Sequence, residues 1–160
     1  MKFGAILVVA VVAFIAAALQ QALAPRISFL GARPDFPLLA LALITMNVDR
    51  VPGLLCGFFI GLLQGALPTA NLAHYIVSRT LTGYLVSASN QLRLHPSAPI
   101  VFATVALATV FGQTVWMFIA APGNIGAFLG DTIGTAVVNG VLAMPLNVLL
   151  RKFLGPPKSS

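Results

Sequence analysis

The sequence predicts an all-α integral membrane protein, a bundle of about six transmembrane helices. Three observations carry that reading. Of 160 residues, 59% are hydrophobic and 8% charged, whereas ordinary soluble domains are about a quarter charged; the chain lacks the polar surface needed to face water. Its mean hydropathy is +0.99. Its apolar residues form several near-continuous runs of about twenty, the span of a bilayer's hydrocarbon core. Continuous runs favour helices over a barrel, whose strands alternate apolar with polar.

The first helix is expected from about Phe3 to Ala24, ended by Pro25. "MKFGAILVVAVVAFIAAALQQALAP" also has the form of a signal peptide, with Lys2 ahead of an apolar core. Its apolar run is long for such a core and the rest of the chain is equally hydrophobic, so a retained helix is expected. Next comes "RPDFPLLALALITMNVDRVPGLLCGFFIGLLQGALP", Arg33 to Pro68. Its two apolar parts, Asp35–Val48 and Val51–Leu67, are together too long for one helix of normal tilt. The break "NVDRVPG" brings two charges, a proline and a glycine, which is turn chemistry. Two short crossings in a tight hairpin are therefore predicted. A fourth helix follows Pro68, from about Ala70 to Leu92, and stops at the polar run "SASNQLRLHPS". A fifth covers about Ala98–Ala121, closed by "APGN", and a sixth about Ile125–Phe153, bent near Pro145. Residues 1–154 form a single helical domain on this reading, and the tail 155–160, "GPPKSS", is polar and expected to be disordered.

A pI of about 10.5 would suggest nucleic acid as the partner of a soluble protein. In a membrane chain, Lys and Arg act as topology determinants, and no nucleic-acid partner is expected. Lys2, Arg50, Arg93, Arg151, Lys152 and Lys158 fall on one side of the predicted bundle, and only Arg26 and Arg33 on the other. That asymmetry places both termini of a multi-pass membrane protein in the cytoplasm. Cys56 is the single cysteine, which excludes a disulfide within the chain and a thiolate metal site.

No catalytic constellation stands out, so no enzyme activity is expected. His74 and His95 lack metal-ligand spacing, neither cofactor nor metal is implied, and no nucleophile or phosphate-cradling motif is present. Arg79 is the most informative residue. It lies about ten residues into the fourth helix, near the membrane middle, where a charge is costly unless it pairs or snorkels. His74, Ser78 and Thr82 share a helix face with it, and Tyr75 precedes it by one turn. Gln64, Gln113 and Asp131 sit towards the outer ends of their helices, so Arg79 is expected to reach towards Asp131. Gln64, His74, Arg79, Gln113 and Asp131 form either a polar pocket open to the outer side or internal glue between helices. Gly53, Gly57, Gly61 and Gly65, four residues apart, make a small-residue stripe that lets another helix approach closely.

The order "RPDFPLL", a short helix, then "GLLCGFFIGLLQGALPTANLAHYIVSRTLTGYLV" resembles the bacterial rod-shape-determining MreD family. Pro34, Asp35 and Phe36 match that family's Pro-Asp-hydrophobic approach to its second helix. Gly57, Gly61, Leu62 and Leu63 match its Gly-rich helix, and Gly83, Tyr84 and Leu85 its "GYL" element. The resemblance is sharpest over residues 33 to 87. The family often has an Asp soon after the Gly-Leu-Leu, where this chain has Gln64 and Gly65. The resemblance implies a non-enzymatic scaffold of the elongasome in the bacterial inner membrane, working with the bitopic protein MreC, with RodA and with a class B penicillin-binding protein. A basic cytoplasmic rim would suit anionic membrane lipid. MreD-like chains also look similar in size and helix layout to the substrate-binding S-components of energy-coupling-factor vitamin transporters. That likeness implies an alternative, a subunit holding a small molecule in the outer polar cluster, with Trp116 and Tyr75 as its aromatic candidates.

Overall fold

The computed structural model describes residues 3–28, 31–66, 72–92 and 97–154. Lys2, Leu67, Pro68, Ala70, Arg93, His95 and the tail 155–160, all used in the sequence reading, lie outside the described residues. Those described form six α-helices and no strand: α1 (Phe3–Ala22), α2 (Phe36–Thr45), α3 (Arg50–Ala66), α4 (Leu72–Ser89), α5 (Ala98–Ala120) and α6 (Ile125–Leu154). A short 3-10 turn, Asn90–Leu92, continues α4.

Apolar side chains face both outward and inward, and a set of polar side chains is buried among the inward ones. Large apolar side chains stand exposed on five of the six helices, among them Phe14 on α1, Phe59 on α3, Leu81 on α4, Phe118 on α5 and Ile133 on α6. The interior holds Asp35, Gln64, Ser78, Arg79, Thr82, Thr109 and Asn139. Two helices, α5 and α6, are long and apolar enough to cross a membrane.

The exception is α2, which has no exposed large apolar residue; every residue from Pro37 to Thr45 is buried. It touches each of the other five α-helices. Leu39, Ala42 and Leu43 pack with Val86 of α4, Val101, Val105 and Ala108 of α5 and Ala143 of α6. On its other flank Leu41 and Ile44 pack with Ala13 of α1 and with Cys56 and Ile60 of α3. At 1.5 Å per residue α2 is about 15 Å long, roughly half the length of α4. The segment expected to be helical from Asp35 to Val48 is helical from Phe36 to Thr45, a half-length helix that follows an extended lead-in.

Local chemistry explains both ends of α2. Gly31 turns the chain at φ +88, a conformation that suits glycine. Asp35 then caps the helix, its side chain accepting from the Leu38 N–H at 3.1 Å, and Pro37 in the first turn removes a donor that would have no partner. At the far end the Thr45 hydroxyl donates to the Leu41 carbonyl and the Asn47 amide to that of Leu43. Asn90, just past α4, donates to the carbonyls of Thr45 and Val48 at 3.1 and 3.0 Å, tying the α2–α3 turn to the end of α4.

The tightest pairing is α3 against α4, which run antiparallel with the glycine stripe between them. A Cβ added at Gly61 would lie 2.7 Å from the Ile76 Cα, one at Gly65 2.9 Å from the Leu72 Cα, and one at Gly57 2.8 Å from the Thr80 Cα. Gly53 faces Ser87 and Gly83 in the same way. Real Cβ atoms do not approach so closely, so only glycine permits this contact. At the other end of the chain α5 ends with Ala121 in the left-handed region, its N–H on the Met117 carbonyl. Asn124 caps α6 by accepting from the Ala127 N–H. Pro145 is accommodated inside the continuous α6.

Candidate functional site

The extended lead-in, Arg33 to Asp35, runs inside the bundle, where its main-chain polar groups need partners. Side chains supply them. Thr135 of α6 donates to the Arg33 carbonyl at 2.9 Å. Asn139, also of α6, accepts from the Asp35 N–H at 3.1 Å and donates to the Asp35 carbonyl at 3.4 Å. Gln20 of α1 accepts from the Phe36 N–H at 2.9 Å. Asn139 also donates to Thr109 of α5.

The Asp35 carboxylate then meets Arg79, and the two form a buried ion pair. Arg79 is 1% exposed. Its Nε donates to the Gln64 Oε1 at 2.8 Å and its Nη1 to the Ser78 hydroxyl at 3.2 Å. Gln64 closes the triangle, donating to the Asp35 Oδ1 at 3.3 Å, and Gln113 of α5 donates to the Oδ2 at 3.4 Å. The Ser78 hydroxyl in turn donates to the Gly112 carbonyl at 2.6 Å. Gly112 makes room for this: a Cβ there would meet Leu38, Thr82 and the Arg79 guanidinium. The Tyr75 ring lies 5.6 Å from the guanidinium carbon, near enough for a cation–π contact. A buried charge is tolerable only when paired and hydrogen-bonded; this one has a carboxylate partner, and each of its three nitrogens donates a hydrogen bond. Residues of all six α-helices take part in the network.

Of the residues singled out in sequence, Gln64, Arg79 and Gln113 come together, and Asp35 replaces Asp131 as the arginine's partner. Asp131 is exposed on α6, away from the ion pair. The reason is geometric. Extended chain covers about 3.3 Å per residue, so the lead-in carries Asp35, and with it the start of α2, down to the depth of Arg79. His74 is half-buried at the rim, edge-on to Trp116 with ring centroids 6.3 Å apart. Trp116 in turn stacks on Phe128, 5.6 Å away.

Beside the network lies a cavity of about 250 Å³, lined by Gln20, Arg33, Asp35, Gln64, Tyr75, Arg79, Gln113, Trp116, Phe128 and Thr135. The sequence leaves Asn139 open between a pocket residue and glue between helices, and it gives no sign of Gln20 or Thr135, because a side chain that serves a distant main-chain group has no spacing signature. Asp35 did have one, an acid followed two residues later by proline, the signature of a helix cap. Chemically the site offers a neutralised ion pair and amides already engaged. It offers no activated nucleophile, and no group of three or more metal-ligating side chains is found among the described residues.

Comparison with curated proteins and with solved structures found no match. Comparison with protein families found one, described as rod shape-determining protein MreD, matching residues 1–155.

Proposed function

The chain belongs to the rod shape-determining MreD family, and from that premise we propose that it is a non-enzymatic membrane scaffold of the machinery that builds the lateral cell wall. Family membership supports a role in determining rod shape. In the proposed arrangement the six helices cross the cell membrane with both termini in the cytoplasm. Their lipid-exposed faces hold the single membrane helix of an MreC-like partner, and through it RodA and a class B penicillin-binding protein. One observation carries the scaffold reading. The charged and amide groups of the interior are turned towards one another and bonded, while the outside offers apolar helix faces. Such a molecule acts by packing, not by chemistry.

The test is a mild-detergent pull-down of the tagged protein from its native membrane, with mass spectrometry of everything retained. An MreC-like bitopic protein recovered with wall synthases is the expected result. A second reading, a small-molecule-binding subunit of a vitamin transporter, draws on the 250 Å³ cavity. Recovery of a transporter's membrane and ATPase subunits in place of the wall synthases would replace the first reading with the second.

A further inference from the structure

We propose that the cavity beside the Asp35–Arg79 pair is a binding site for a small oxyanion, anchored by Arg33. The claim is independent of which proteins the chain assembles with.

Charge decides the sign of the ligand. The titratable side chains lining the cavity that are charged at neutral pH are Arg33, Arg79 and Asp35, which leaves a net positive charge. A cation would need an acceptor, and Asp35 has none to spare. Its two carboxylate oxygens already accept from the Leu38 N–H, Gln64, Arg79 and Gln113. The donors are in the opposite state. Among the described residues, the Arg33 side chain makes no hydrogen bond or ion pair, and only its carbonyl is engaged. The Tyr75 hydroxyl has no partner there either, and the Gln20 amide uses its oxygen while its NH₂ remains available. The cavity therefore offers an uncommitted guanidinium and neutral donors, and this donor set recognises carboxylate or phosphate.

Arg33 is the anchor in preference to Arg79, whose charge is already neutralised by Asp35 and whose Nε, Nη1 and Nη2 each donate one hydrogen bond, to Gln64, Ser78 and Asp35. Arg33 is exposed, at the end of the bundle where the lead-in begins, so it can meet an anion at the mouth and follow it inward. The volume, about 250 Å³, lies just below the range of roughly 300–1,000 Å³ that holds drug-sized ligands. A small metabolite fits whole, or the headgroup of a lipid enters alone. Trp116 and Phe128 supply an apolar wall on one side.

The test uses the full chain in nanodiscs of phosphatidylcholine and three probes: inorganic phosphate, acetate, and phosphatidylglycerol incorporated in the disc. Trp116 is the chain's single tryptophan and lines the cavity, so its emission reports occupancy. Equilibrium dialysis of the two free anions and native mass spectrometry of retained lipid give independent readouts. Saturable binding in at least one arm is expected, and the responding arm identifies a free phosphate, a carboxylate or a lipid headgroup as the source. Arg33→Gln should weaken it roughly tenfold or more, the worth of a lost charge-assisted hydrogen bond, with the melting temperature unchanged because the side chain is exposed and makes no hydrogen bond or ion pair among the described residues. Tyr75→Phe, which keeps the ring over Arg79, should weaken it less. Absence of saturable binding in all three arms would overturn the proposal, as would binding that Arg33→Gln leaves intact.

Discussion

Along the α3–α4 seam two main chains meet with almost no side chain between them, whereas the lead-in to α2 is held to the rest of the bundle by side chains. At the seam, glycine's missing Cβ lets the Gly57 Cα lie against the Arg79 carbonyl. At the lead-in, the main-chain groups of Arg33, Asp35 and Phe36 are reached by Thr135, Asn139 and Gln20 from two other helices. The two regions share Arg79, whose main chain belongs to the seam and whose guanidinium belongs to the network. The contrast shows two ways to hold a helix in a bundle with a polar interior. A regular helix satisfies its own hydrogen bonds and needs only shape. An interrupted one leaves polar groups uncovered and needs named partners.

Substitutions can separate these two kinds of support. The largest loss is expected from Asp35→Ala, which strands the Arg79 charge in the interior and removes the cap of α2; breaking one partner of a buried pair costs about 3–5 kcal/mol. Thermal unfolding in mild detergent should show it. Combining Asp35→Asn, which keeps a capping oxygen, with Arg79→Met should recover most of that loss, as it removes both charges together. If the double variant is no more stable than Asp35→Ala, the pair is not the main support of the lead-in. Gly57→Ala comes next, at about 1–3 kcal/mol for overpacking, since the clash is with main chain that cannot rotate away. Asn139→Ala should cost about 1–2 kcal/mol by leaving the Asp35 N–H unpaired, and hydrogen exchange at Asp35 should rise while the α3–α4 amides stay protected. The smallest effect is expected at Gly130, also inside a helix but with nothing within 4 Å of an added Cβ. There alanine should be neutral or stabilising by about 0.5 kcal/mol. A loss at Gly130→Ala similar to that at Gly57→Ala would mean that close approach is not what distinguishes the seam.

The same contrast explains what could be read from the sequence. Four glycines at four-residue intervals announce a close contact because a helix places them on one face; the spacing says nothing of which helix fills it, and α4 was identified only by the fold. Arg79 announced itself as a charge in an apolar run needing a partner. The position of Asp131 towards the outer end of its helix points to it as the partner, but it is exposed on α6 and Asp35 takes that place. Extended and helical chain differ in rise by more than twofold, and over a few residues that difference moves a carboxylate from the rim to the interior. Pro34, which biases Arg33 towards extended backbone, was the local sign that the chain leading to Asp35 was not helical, and Pro37 marks the first turn of the helix that follows. No pattern within the lead-in itself could have pointed to Asn139, 104 residues away.

That separation sets an order of assembly. As the chain is made, α2 appears early, yet the groups that complete its start arrive with Gln113, Thr135 and Asn139, 78 to 104 residues later. Until then the segment from Arg33 to Phe36 has only Gln20, Gln64 and Arg79 to turn to. The ribosome must therefore deliver the last two helices before the centre of the molecule can settle, and a nascent chain halted after α4 would present an unfinished core to whatever insertase or quality-control protease stands beside it.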